Sequence, residues 1–173
     1  AGVGKTALAA KPGIDPVFQA ALDSPWMQDG VPLRMTHYVG DEKMLGKAAV
    51  VVVSEVDART LAFEEKDGRS LASLQFLLVV SQRETGEYFR YDQTYNLKLL
   101  PATRERLERH WFPIARDFEL GAGDYQAKMV VRDTRTNRVG TVIHDFVVPS
   151  IEEFRVSTPV LSDQLQQSAS GEG

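Results

Sequence analysis

Cysteine is absent from the 173 residues, which excludes disulfides, thiolate metal sites and a cysteine nucleophile. Its absence selects no redox compartment, because a disulfide-free domain folds on either side of a membrane. Long apolar runs are lacking too. The longest, Ala48 to Val53, falls far short of the roughly 20 residues that cross a bilayer as a helix, so no membrane span is expected. No signal-peptide pattern is visible, and Ala1 is not a methionine, as expected for a processed or excised chain. Basic residues are not in excess: the net charge is −4. With no basic block interleaved with aromatics, nucleic acid is disfavoured as a partner. No serine sits in a Gly-x-Ser-x-Gly elbow, so hydrolase chemistry of that kind has no nucleophile.

What the chain has is β-pattern. Hydrophobic residues make up 43% and charged residues 25%, ordinary values for a globular domain long enough to bury a core. The organising stretch runs from Asp117 to Asp133. It reads as a strand end, a Gly121-Ala-Gly-Asp124 turn, and a strand in which Tyr125, Ala127, Met129 and Val131 alternate with Gln126, Lys128, Val130 and Arg132. That period of two places the first set on one face. Gly123-Asp-Tyr-Gln-Ala127 resembles the start of strand F in immunoglobulin-like sandwiches, where a tyrosine hydroxyl bonds back to the preceding corner. Tyr125 and Gly123 are therefore assigned to a structural corner.

Other elements follow the same logic. Asp15-Pro16 opens a short helix through Leu22, with Asp15 as N-cap and Pro16 at the first helical position. Val31 to Val39 reads as a first strand, Asp41 to Gly46 as a charged loop, and Lys47 to Val56 as a central strand apolar on both faces. Leu61 to Glu65 reads as a short edge strand. Leu71 to Gln82 and Tyr88 to Leu99 read as a hairpin around Arg83–Glu87. Pro101 to His110 reads as a surface helix bridging two sheets, anchored by Trp111-Phe112 and stopped by Pro113. Ile114 to Leu120 and Val139 to Val148 supply further strands, and Phe154 to Leu161 a last extended piece. The prediction is an all-β, antiparallel immunoglobulin-like sandwich with short peripheral helices. Its expected limits are residues 16–161, with a mobile lead over 1–15 and a disordered tail over 162–173.

Chemistry-bearing signals are sparse. Gly2-Val-Gly-Lys-Thr6 looks like the tail of a phosphate-binding loop, but that loop needs an earlier glycine, a strand before it and a helix after it. Val50 to Glu55 could pass for the magnesium-binding strand, except that Ser54 stands where an aspartate is wanted. The histidines His37, His110 and His144 lie on separate elements without ligand spacing, and His144 is expected to be a satisfied core residue. Asp41, Glu42, Asp57, Glu64, Glu65 and Asp67 form no calcium loop and read as a solvated rim. No cofactor or metal is expected. Tyr88, Phe89, Tyr91 and Tyr95 crowd one strand: the last three are expected in the core with Leu97. Tyr88, with Arg90 and Asp92, is left outward as a candidate ligand surface.

A family resemblance rests on residues spread from Phe18 to Leu161. They are Phe18-Gln-Ala-Ala-Leu-Asp-Ser-Pro25, Val31-Pro-Leu-Arg34, Ala62-Phe-Glu-Glu-Lys66, Tyr91-Asp-Gln93 and Trp111-Phe-Pro113. Gly123-Asp-Tyr-Gln-Ala127, Val130-Val-Arg-Asp133 and Ser157-Thr-Pro-Val-Leu-Ser-Asp163 complete the set. This chain resembles the C-terminal region of bacterial proteins with a von Willebrand factor type A-related domain. The resemblance implies an immunoglobulin- or fibronectin-like sandwich, secretion or envelope association, and a role in adhesion or assembly. The adhesion motif Asp-x-Ser-x-Ser of that family's other domain is absent, so metal-dependent binding does not carry over. The function expected is a non-enzymatic accessory module that binds a protein partner or a neighbouring domain. The alternatives are a carbohydrate-binding module using the aromatic strand and a fragment of a nucleotide hydrolase.

Overall fold

The computed structural model describes residues 15–44 and 46–150. In chain order these are helix α1 (Pro16–Asp23), strands β1 (Leu33–Met44) and β2 (Lys47–Val56), and a 3-10 turn (Ala58–Thr60). There follow β3 (Glu64–Lys66), β4 (Arg69–Gln82), β5 (Tyr88–Leu99), α2 (Pro101–His110), β6 (Phe112–Gly121), β7 (Gly123–Asp133) and β8 (Val139–Val148). Two antiparallel sheets result. One has the order β1-β2-β6; in the other, β4 lies between β5 and β7, β8 lies beyond β7, and short β3 pairs with the start of β4. The protein is therefore an all-β sandwich, with two short peripheral helices among the described residues. Gly4-Lys5-Thr6, the piece from Phe154 to Leu161 and both expected tails beyond Asp15 and Ser150 lie outside the described residues.

The core forms where inward slots of the two sheets meet. Val50, Val52 and Val56 of β2 face Leu74, Phe76, Leu78 and Val80 of β4, with Ile114, Phe118 and Leu120 of β6 and Ala127, Met129 and Val131 of β7. Each fully buried side chain of this size is worth about 1.5–3 kcal/mol relative to exposure. Lys47–Val56 is the central strand of its sheet, as its β-branched run suggests, but only alternate residues are fully buried. The strand packed on both faces is β4, buried without break from Phe76 to Val80. Its outer side chains Leu77 and Val79, with Val130 of β7, are covered by Phe18 and Ala21 of α1.

Local chemistry explains the ends of the elements. Asp15 caps α1, its Oδ1 accepting from the Val17 N–H at 2.8 Å. At the other end of α1, the Lys128 ammonium donates to the carbonyls of Leu22 (2.7 Å) and Ser24 (3.0 Å), a cation placed at a helix C-terminus. Strand β1 extends to Met44, so Asp41 belongs to a strand and not to a loop. The reason is pairing: an irregular ladder with β2 continues through Glu42 and Met44. Helix α2 ends at His110, whereas Pro113 sits inside β6. The stop comes from Trp111, at φ 50° and ψ 157°. That region costs a non-glycine residue about 1–3 kcal/mol. The Arg34 guanidinium lies 4.2 Å from its ring centroid and is itself forked onto Glu55 by two 3.1 Å hydrogen bonds.

Two close approaches fix how the sheets meet. At Gly140 a Cβ would stand 1.7 Å from the Val31 carbonyl oxygen, so only glycine lets the chain before β1 lie against β8. At the β6–β7 corner Gly123 has φ 150°, and a Cβ there would meet the Gln82 side chain at 2.5 Å. The Tyr125 ring is buried, and its hydroxyl donates to the Gly121 carbonyl at 2.8 Å. Burial, reinforced by Glu87, raises the tyrosine pKa, which keeps the hydroxyl a donor. Tyr125→Phe should lower stability by about 1–2 kcal/mol in urea unfolding, the effect of stranding a carbonyl. Tyr38→Phe, on an exposed ring, should leave the midpoint unchanged. Equal midpoints for all three proteins would remove the hydroxyl from the corner's energetics.

Candidate functional site

The residues singled out on β5 divide between its two faces. Tyr88, Arg90 and Asp92 point to the outer side of the larger sheet, opposite Ser81, Val79 and Leu77 of β4. Tyr88 is not solvated there: it packs at the margin of the cluster formed by Phe18, Ala21, Leu77, Val79 and Val130. Helix α1, laid over that face, brings the cover. Phe89, Tyr91, Tyr95 and Leu97 occupy the inner side, but Tyr91 remains 40% exposed because β5 is an edge strand. Its ring meets Phe118 edge-on at 5.5 Å. The aromatics of β5 are thus split between two faces and form no shared platform.

Beside them the sequence reading missed Arg116 of β6. Its slot between Ile114 and Phe118 faces inward, and its guanidinium donates to Gln93 Oε1 (2.6 Å) and to the Tyr95 hydroxyl (2.8 Å). It also lies over the rings of Phe76 and Tyr91. This cation closes the flank between the β5 and β6 edges. The available signal was a charged residue in an inward slot of an alternating strand.

Outside, Arg90 and Asp92 form one wall of a groove of about 390 Å³, with Gln75, Leu77, Gln93 and Thr94 along it and Asp15 and Phe18 of α1 among its lining. The Arg90 Nη2 donates to Asp92 at 2.6 Å. Its Nε–H is shielded from solvent and has no acceptor in the structure. A buried donor without a partner is uncommon in native proteins and calls for an explanation. Nearby, Arg132 donates from Nε to Gln75 Oε1 at 3.0 Å and reaches Asp15 at 3.3 Å while lying 5.3 Å from the Phe18 ring centroid. It ties the start of α1 to the sheet. The groove therefore offers guanidinium and amide donors, a carboxylate acceptor and an apolar floor. It can hold a polar extended ligand.

The remaining sequence candidates are dispersed or engaged. Asp57 is forked by Arg59 at 2.9 and 2.8 Å, a bond that holds its pKa below the ordinary carboxylate value. Glu64 pairs with Arg135 and Glu65 with Arg104. Asp41 lies on β1 beside the start of β2, near Ala48, whereas Asp57 follows the other end of β2, roughly 27 Å away at the usual rise per residue. Among the described residues no three His, Cys, Asp or Glu side chains converge as metal ligands. The strand from Val50 to Glu55 lies at the centre of an antiparallel sheet, and Ser54 is buried within it. His37 and His144, expected to be unrelated, touch: Nδ1 of one lies 2.7 Å from Nε2 of the other. His110 is exposed at the end of α2. No helix among the described residues is long and apolar enough to cross a membrane.

No family model matches the chain, and no curated protein matches it. Solved structures give weak likenesses. A structural-genomics target, SoR45, is 8% identical with a TM-score of 0.42, over 73% of this chain and 92% of that one. A Bacteroides uniformis beta-glucuronidase is 14% identical with a TM-score of 0.40, over 69% of this chain but only 13% of the enzyme. The putative ApaA protein from Bordetella pertussis is 6% identical with a TM-score of 0.37, over 69% of this chain and 92% of that one.

Two substitutions test the placement of the β5 aromatics. Tyr88→Ala and Tyr91→Ala should each cost about 1–2 kcal/mol in urea unfolding, below the 3–5 kcal/mol of a fully buried aromatic such as Phe76→Ala. A neutral Tyr88→Ala would return that ring to solvent.

Proposed function

We propose that this chain is a non-enzymatic accessory sandwich that binds a protein partner or a neighbouring domain through the groove beside Arg90 and Asp92. The observation that carries the reading is the Arg90–Asp92 pair, joined at 2.6 Å, in the wall of a groove of about 390 Å³ between β5 and α1. A backbone carbonyl or carboxylate of a bound segment would accept from the Arg90 guanidinium, and charge-assisted bonds of that kind are the strong ones. Asp92 would accept from the N–H groups of the same segment. The likeness to von Willebrand factor type A-related proteins supports an envelope or secreted setting and an adhesion or assembly role. Among the described residues the β5 aromatics are split between two faces, which does not favour a sugar platform.

The test uses the full chain, immobilised and exposed to an envelope extract of the organism that makes it, with retained proteins quantified. Wild type and the control Lys98→Ala should retain the same discrete partner. Arg90→Ala, at unchanged melting temperature, should retain about tenfold less, equivalent to roughly 1.4 kcal/mol. Equal retention by Arg90→Ala would remove the groove from the function.

A further inference from the structure

The sandwich has two flanks. Arg116 closes the one between β5 and β6; the other lies between β1 and β8, the outer strands of different sheets. Little backbone pairing crosses this second flank. Among the described residues the chain before β1 bonds to β8, through an isolated Asp29–Gly140 bridge and the Gln28–Thr141 contacts. Farther along, the side chains take over. His37 Nδ1 and His144 Nε2 stand 2.7 Å apart, and the His37 ring stacks on Phe146 with centroids 4.8 Å apart.

We propose that His37 and His144 form a proton-controlled clasp that holds the β1 edge against the β8 edge and releases it in mildly acidic surroundings. Two imidazoles can share a 2.7 Å contact only while one nitrogen accepts. A single added proton is tolerated, since an N–H⁺···N bond remains and Phe146 offers its ring face to the cation. A second proton leaves two donors and two like charges at hydrogen-bond distance. Two imidazoles also fall short of the three protein ligands that a zinc site uses, so the pair is a proton-sharing contact and not a metal centre.

The surroundings do not offset that second charge. Inward neighbours on β2 are Val50, Val52 and Ser54; on β7 they are Tyr125, Ala127 and Met129; on β8, Val142 and Phe146. On β1 itself, Met35 and Val39 pack against the core and Tyr38 faces outward. The charged group coupled to the pair is Asp145, which points outward and is held by Arg83 at 2.6 Å. Burial and the neighbouring His144 both lower the His37 pKa. With the folded value depressed, the unfolded chain takes up the proton first. The His37 contribution is complete above the ordinary imidazole pKa of about 6.5 and shrinks as pH falls below it.

Amide hydrogen exchange on the full chain, in EDTA, compares about pH 7.5 with about pH 5 after correction for intrinsic rates. Wild type and His110→Gln should lose protection several-fold along β1 and β8 at the lower pH, while the amides of β4 keep theirs. His37→Gln, whose amide can still bond His144, should show the same β1 and β8 protection at both values; His144→Gln is the second test if that variant does not fold. Unchanged β1 and β8 protection in wild type, or an equal loss in His37→Gln or its substitute, overturns the proposal.

Discussion

The hydrogen bond from the Tyr125 hydroxyl to the Gly121 carbonyl governs the architecture. It spans the three residues, Gly121 to Gly123, over which the chain leaves the smaller sheet and enters the larger. With β6 and β7 joined so tightly, the separation of the sheets at that end is set by one corner. The Tyr125 ring then stacks on Phe146 at 5.5 Å, and Phe146 stacks on His37. A row of rings thus runs from the corner on β7, through β8, to the outer strand of the opposite sheet. Ring contacts connect the corner, the core and the flank.

The groove proposed to hold a partner lies on the larger sheet's outer face. Among the described residues α1 covers that face over β4 and β7, and Arg90 and Asp92 lie on its margin along β5. Arg132 and Asp15 hold the helix start in place, so the groove has one wall of strand and one of helix. A binding surface built on regular elements needs little ordering on association, which lowers the entropic cost of holding a partner.

Much of the fold was legible in the sequence, because its signals are local. The alternation after Gly123 and the Asp15-Pro16 cap specify their elements within a few residues. The limits of β2, β5, β8 and both helices follow with small errors. What stayed hidden depends on contacts between distant segments. Nothing near Tyr88 says that α1 will cover it, and nothing in Lys47–Val56 says that β4 will be the doubly buried strand. The candidate site was half legible: Arg90 and Asp92 lie outward as alternation requires. Gln75, Phe18 and Arg132 join them only through the helix. His37 and His144 occupy inward slots 107 residues apart, a pairing that no spacing rule finds.

Native-state hydrogen exchange at neutral pH tests the central claim about the corner most directly. If the Tyr125 bond governs the junction, amides from Phe118 to Ala127 exchange only when the whole domain unfolds, with the same denaturant dependence as the amides of β4. If that corner instead opens by a local fluctuation while β2 and β4 stay protected, the junction is held by the sheets around it. The hydroxyl would then not be the constraint on which the structure depends.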